Sequence, residues 1–203
     1  MLEEEKITDF INFNYVPFSK RNFINRLVFI WFMSVACIFF QFSIPILCVI
    51  FTVCIVLTVL FSVLMIKYSE SKITRFASDG LMCLFVSVIL NIIAYQILAL
   101  VFGDNIIILM CFISALVISI LCTFVMVIRN IKKGRYKEGK GSIIPFAFSM
   151  LFGCCGMACA KFFLKDMQQN DAIILLSVIM FLLSLLVSIG TTNLLKAFFL
   201  RWK

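Results

Sequence analysis

Residues 80–102 read GLMCLFVSVILNIIAYQILALVF, a run of 23 residues without Asp, Glu, Lys or Arg. About 20 consecutive apolar residues in a helix cross the ~30 Å hydrocarbon core of a bilayer, so this stretch reads as a membrane span. Working outward, similar runs place further spans at about 25–42, 45–66, 105–128, 143–163 and 172–195. Short breaks at Phe42-Ser43-Ile44-Pro45, at Gly103-Asp104-Asn105 and from Lys165 to Asp171 pair the spans as helical hairpins. The expected fold is an all-α polytopic membrane protein, a six-transmembrane-helix bundle made of three hairpins. It forms a single membrane domain over 25–203, preceded by a cytoplasmic tail, 1–24.

Composition points the same way. The 203 residues are 64% hydrophobic and only 14% charged, against ~25% charged in a typical soluble domain. Such a chain cannot cover itself with polar surface in water, so lipid must serve as much of its solvent. Six spans take up over half of its length and leave no separate soluble domain.

Orientation follows from the basic residues. One side carries Lys6, Lys20, Arg21 and Arg26, then Lys67, Lys72 and Arg75, then Arg129, Lys132, Lys133, Arg135, Lys137 and Lys140, and finally Lys196, Arg201 and Lys203. Only Lys161 and Lys165 fall on the other side. Cytoplasmic loops hold the basic excess, so both termini are expected inside and the number of crossings even. Tyr68, Trp31 and Trp202 lie near the inner boundary, where amphipathic rings favour headgroup depth. The net charge of +8 therefore reflects topology rather than nucleic-acid binding. The loop from Arg129 to Lys140 is expected to attract anionic inner-leaflet lipid.

The acidic start, Glu3-Glu4-Glu5, lacks the positive flank of a cleavable signal. The first span is thus expected to be its own insertion signal. Within the tail, Ile7, Phe10 and Ile11 make a short apolar face that Pro17 ends. This segment reads either as an interfacial helix on the inner leaflet or as a frayed tail.

The span centres contain no Asp, Glu, Lys or Arg, and the chain has no His. Ionisable groups inside membranes mark proton relays and ion coupling, so a coupled transporter is disfavoured. Membrane proteases that need His ligands or a His-activated nucleophile are excluded by composition. An aspartyl dyad fails on geometry, because Asp79 and Asp104 lie at opposite ends of the third span. No enzymatic activity and no cofactor are expected. The nine cysteines, Cys37, Cys48, Cys54, Cys83, Cys111, Cys122, Cys154, Cys155 and Cys159, all fall in apolar stretches and read as buried thiols. Cys155 and Cys159 share a helix flank and suggest a soft-metal pair. No further ligand completes a shell, so no metal is expected.

Two sets of polar or small residues remain. In the third span, Ser87, Asn91 and Tyr95, with Gln96 alongside, form a candidate ligand-binding group; the competing reading is interhelical hydrogen bonding, which is favoured. In the last hairpin, Ser149 and Gly156, with Gly153 and Ala160, repeat every seven residues, as do Ser177, Ser184 and Thr191, with Ser188 close by. Small residues on that period suit close antiparallel packing, and the fifth and sixth spans are expected to meet along these faces.

Length and span count are similar to those of the substrate-binding subunits of energy-coupling vitamin transporters, a resemblance of architecture. The small-residue motif of those subunits' first span is missing here, since Leu27 to Gln41 is bulky apart from Ser34, Ala36 and Cys37. The favoured reading is a non-enzymatic integral membrane interaction protein, such as an immunity-type protein or an accessory subunit, with a protein partner or a second copy of itself. The alternative is a solute-binding transport subunit. The location is a multi-pass integral membrane protein, in the plasma membrane if the source is bacterial. This ranking requires that the lipid interior hold no fixed charge of the chain.

Overall fold

In the computed structural model, residues 4–13, 45–68, 71–137 and 169–202 are described. Among them every regular element is a helix. These are α1 (Glu4–Asn12), α2 (Pro45–Lys67), α3 (Lys72–Phe102), α4 (Ile106–Lys132), α5 (Gln169–Ser188) and α6 (Thr192–Arg201), with a 3₁₀ turn, Ile189–Thr191, joining the last two. Four helical stretches are long and apolar enough to cross a membrane: α2, α3, α4 and the continuous rod formed by α5, the 3₁₀ turn and α6. They correspond to the second, third, fourth and sixth spans read from the sequence. The first and fifth, 25–42 and 143–163, lie outside the described residues.

The helix ends follow local chemistry. Pro45 opens α2, where its missing N–H and fixed φ are harmless. Lys67 closes α2 with its ammonium 5.5 Å from the Tyr68 ring centroid, which suits both the helix dipole and the interface. Ser71 caps α3 by accepting from the Thr74 N–H at 3.4 Å. At its far end Gly103 takes φ +70 and donates to Ala99 O at 2.8 Å, a left-handed stop that favours glycine. Asn105 then opens α4, its Oδ1 accepting from the Ile107 and Ile108 N–H groups at 2.9 and 3.4 Å. The chain thus reverses within three residues.

α3 is the central helix. Its buried Ile89, Leu90, Ile92, Ile93 and Ile97 join Leu47, Phe51 and Cys54 of α2 in one core. Phe112 of α4 and Met180 and Val187 of α5 close over that core. The tightest contact is between α3 and the rod of α5 and α6, which run antiparallel. A Cβ on Gly80 would lie 2.8 Å from the Leu194 backbone nitrogen and 2.7 Å from its Cγ. Gly190 faces Cys83 with no room for a side chain. Close approach of two backbones requires such small residues.

The 3₁₀ turn lies beside this contact. The Ser188 hydroxyl donates to Leu185 O and the Thr191 hydroxyl to Ser188 O, both at 2.6 Å. These bonds reach back three residues and satisfy the two hydroxyls on the helix's own carbonyls. Elsewhere Thr52, Thr58, Ser62 and Thr123 donate to the carbonyl four residues earlier at 2.6–2.8 Å, so their hydroxyls are satisfied inside an apolar medium.

At the end of the bundle where α3 begins, α1 is docked rather than free. Phe10 and Ile11 are buried, Phe10 against Val127 and Ile131 of α4 and Ile11 against Phe76 and Ala197. Tyr136 covers the Phe10 ring at a centroid distance of 4.9 Å. α1 therefore packs on protein, with an apolar face that the sequence assigned to the leaflet or to a frayed tail.

Replacing Gly80 by Val should force α3 and α6 apart, because the obstructing atom is backbone and cannot rotate away. A loss of ~1–3 kcal/mol is expected from such overpacking, read as reduced thermal or denaturant stability in detergent.

Candidate functional site

The four candidate residues of the third span are all buried in α3. Ser87 is 0% exposed, Tyr95 1%, and Asn91 and Gln96 4% each. They do not share one face. Successive four-residue steps drift about 40° around a helix, and that drift fans them between two neighbours. Ser87 faces α5, where its hydroxyl donates to Ser184 O at 2.7 Å and Ser184 donates back to Ser87 O at 2.9 Å. Asn91 faces α4, its amide donating to Phe112 O at 3.3 Å. The Tyr95 hydroxyl reaches the outer turn and accepts from the Asn105 N–H at 3.2 Å.

Each of these three thus binds the backbone of another helix or of the turn. A polar group buried in hydrocarbon without a partner costs several kcal/mol, and backbone atoms cannot move aside for a solute. Gln96 differs. Eleven and fourteen residues after Phe85 and Met82, it falls within about 20–40° of their flank. That flank meets α2, where Phe85 stacks on Phe61 with centroids 5.9 Å apart and Ser62 approaches Met82 Sδ at 3.7 Å. Its Nε2 is buried with no hydrogen-bond partner.

The packing residues of the sixth span occupy one seam, and the helix across it is α3. Ser177 donates to Ala94 O at 2.6 Å, seven residues from the reciprocal Ser87–Ser184 pair. Thr191 is fully buried in the 3₁₀ turn, and Ser188 approaches the Ser119 hydroxyl of α4 at 3.4 Å. The expected partners, Ser149, Gly153, Gly156 and Ala160, lie outside the described residues, as do Cys155 and Cys159. A sequence signal for the α3 contact did exist. Gly80, Ser87 and Ala94 repeat every seven residues, the same period as Ser177, Ser184 and Thr191 in the opposite chain direction. Cys48, Cys54, Cys83, Cys111 and Cys122 are free thiols.

A second polar cluster sits at the inner end and was not singled out in the sequence. Asn193 of α6 donates through its amide to the Asp79 carboxylate of α3. One turn further, Lys196 is only 6% exposed, although the sequence places it in the cytoplasmic tail. Its ammonium donates to Phe13 O at 2.6 Å and lies 5.4 and 5.3 Å from the ring centroids of Phe10 and Phe76. Phe76 precedes Asn91, at the middle of the third span, by fifteen residues, or ~22 Å of helix. The ammonium therefore lies beside the end of α3, ahead of the apolar run that begins at Gly80. Across α1, Glu5 and Lys137 form an ion pair at 2.6 Å, both largely exposed. The ammonium of Lys137 holds the Glu5 carboxyl below its ordinary value of 4.5.

Compared with known protein families, curated proteins and solved structures, the chain matches none of them.

A double-mutant cycle on Ser87→Ala and Ser184→Ala should give a coupling of ~0.6 kcal/mol, and at most about 2, typical of interhelical hydrogen bonds. Unfolding in detergent reads it, and zero coupling would show that the reciprocal bonds do not form. For the exposed Glu5–Lys137 ion pair, a lowered Glu5 pKa means that docking of α1 gains from ionised Glu5 above the ordinary carboxylate range. That gain should fade as pH falls from 4.5 through the lowered value, and with added salt, because the pair is exposed. A lower protection factor for α1 amides at low pH than at neutral pH, a difference lost in Glu5→Gln, is the expected result.

Proposed function

We propose that this chain is a non-enzymatic integral membrane interaction protein, of the immunity type or an accessory membrane subunit, acting through a protein partner or a second copy of itself. One observation carries the reading. Ser87, Asn91 and Tyr95, the polar groups best placed to receive a solute, each bind main-chain atoms of neighbouring segments. A site already saturated by the protein's own backbone favours a rigid scaffold over a solute pocket. The apolar surface agrees with this, since α4 presents Ile107, Met110, Val117, Leu121 and Val125 outward, as a helix in contact with lipid or a membrane partner would.

The proposal includes six crossings with both termini in the cytoplasm, argued from the basic residues and the two apolar stretches at 25–42 and 143–163. It places the protein in the plasma membrane if the source is bacterial, with anionic inner-leaflet lipid near the loop from Arg129 to Lys140. The second reading, a solute-binding transport subunit, is favoured by the unpartnered Gln96 amide.

Purification of the full chain in mild detergent distinguishes the two. A stoichiometric protein partner or a homo-oligomer, retained by Asn91→Ala and Gln96→Leu, is the expected outcome. A stoichiometric small molecule that either substitution removes would overturn the proposal.

A further inference from the structure

α1 is nine residues long, and an isolated helix shorter than ~12–15 residues is marginal in water. Its helicity therefore depends on where it docks. The grip is local. Phe10 and Ile11 enter the gap between the inner ends of α3, α4 and α6. Beyond them, Phe13 folds back on the end of α1, its N–H bonded to Asp9 O at 2.9 Å. The Phe13 carbonyl lies just past the helix end, where carbonyls lack intrahelical partners and the dipole is negative. Lys196 meets it with its ammonium, and the faces of Phe10 and Phe76 enclose the cation from two sides.

We propose that α1 is a detachable cytoplasmic lid latched by Lys196 onto the inner end of the bundle, and that its release opens the surface formed by Phe76, Ala197 and Lys196 to water. Three observations make the lid separable from the bundle. The α3–α5 seam is closed by Ser87, Ser184, Ser177 and Ala94, with no contribution from α1. The ammonium sits beside Phe76, ahead of the apolar run that begins at Gly80, so on release water replaces the carbonyl and the ring at little electrostatic cost. The ion pair at the other edge of the lid, Glu5–Lys137, is exposed and screened by salt. Release is thus a local unfolding of α1 rather than of the protein.

The test uses the full chain with Ala197→Cys. This position is 7% exposed and packs against Ile11 and Phe76. It is probed with a charged, membrane-impermeant maleimide in inside-out vesicles, and the parent chain, whose cysteines lie in apolar stretches, is the blank. Labelling should be slow with Lys196 present and roughly tenfold or more faster when Lys196→Met is added, with Phe10→Ala giving the same result by a different route. Hydrogen exchange on the same variants should show α1 amides losing protection while those of α3 and α5 keep theirs. Unchanged labelling in both variants would overturn the latch. Joint loss of protection in α1, α3 and α5 would also overturn it, because α1 would then be an integral part of the bundle. Should both variants fail to accumulate, exchange in the unmodified protein decides. A separable lid exchanges at least about a hundredfold faster than α3 around Asn91, and equal protection would refute it.

Discussion

Ser87 and Ser184 each donate a hydroxyl proton to the other's carbonyl, and the rest of the bundle is arranged around the approach this demands. In water such a pair would contribute little, since solvent offers equivalent bonds. In hydrocarbon the alternative is an unsatisfied group, so the two helices are drawn to backbone contact. That contact is sustained along the seam only because Gly80 and Gly190 lie further along it. With α3 fixed against α5, the drift of Asn91 and Tyr95 around α3 turns them toward α4 and its capping turn. The apolar flank of α3 is left for Leu47, Phe51 and Cys54 of α2.

Polarity is distributed along the membrane normal in two regimes. Through the middle, the polar groups of the described helices are neutral hydroxyls and amides; Ser87, Asn91, Ser177 and Ser184 bind backbone atoms, and the Gln96 Nε2 has no partner. At the inner end, carboxylate and ammonium groups gather where water and headgroups can share their solvation, as with Asp79 beside Asn193 and Lys196 beneath α1. Lys196 is a buried ammonium, and it lies beside Phe76 rather than beside the middle of the third span. Its contacts show that the short amino-terminal helix is docked on the bundle.

Much of the fold was legible because its signals are local. The breaks at Pro45 and at Gly103-Asp104-Asn105 act within a few residues, and helices start or end at them, whereas α3 begins at Lys72, well before its apolar run. The packing partner of Ser177 and Ser184 was not legible in the same way. A seven-residue repeat says that a face is small and polar, yet the third span and the last hairpin both carry one. Sequence proximity favoured the fifth span, whereas in the structure Ser87 and Ala94 of the third span meet these serines. Nor could the fan of Ser87, Asn91 and Tyr95 be divided between neighbours without knowing which helix lay on which side.

By itself the sequence determined that lipid is the solvent, that the described spans are helices, and that no histidine is available for catalysis or metal binding. These are properties of composition and short-range sterics, and they hold whatever the helices do next. Only the tertiary structure decided that α3 is the central helix, that three of its four candidate binding groups bind main-chain atoms, and that Lys196 is enclosed rather than solvated. Such outcomes depend on which surfaces compete for the same neighbour. In a medium where every span is equally apolar, that competition is settled by steric fit and by hydrogen bonds between residues distant in the chain.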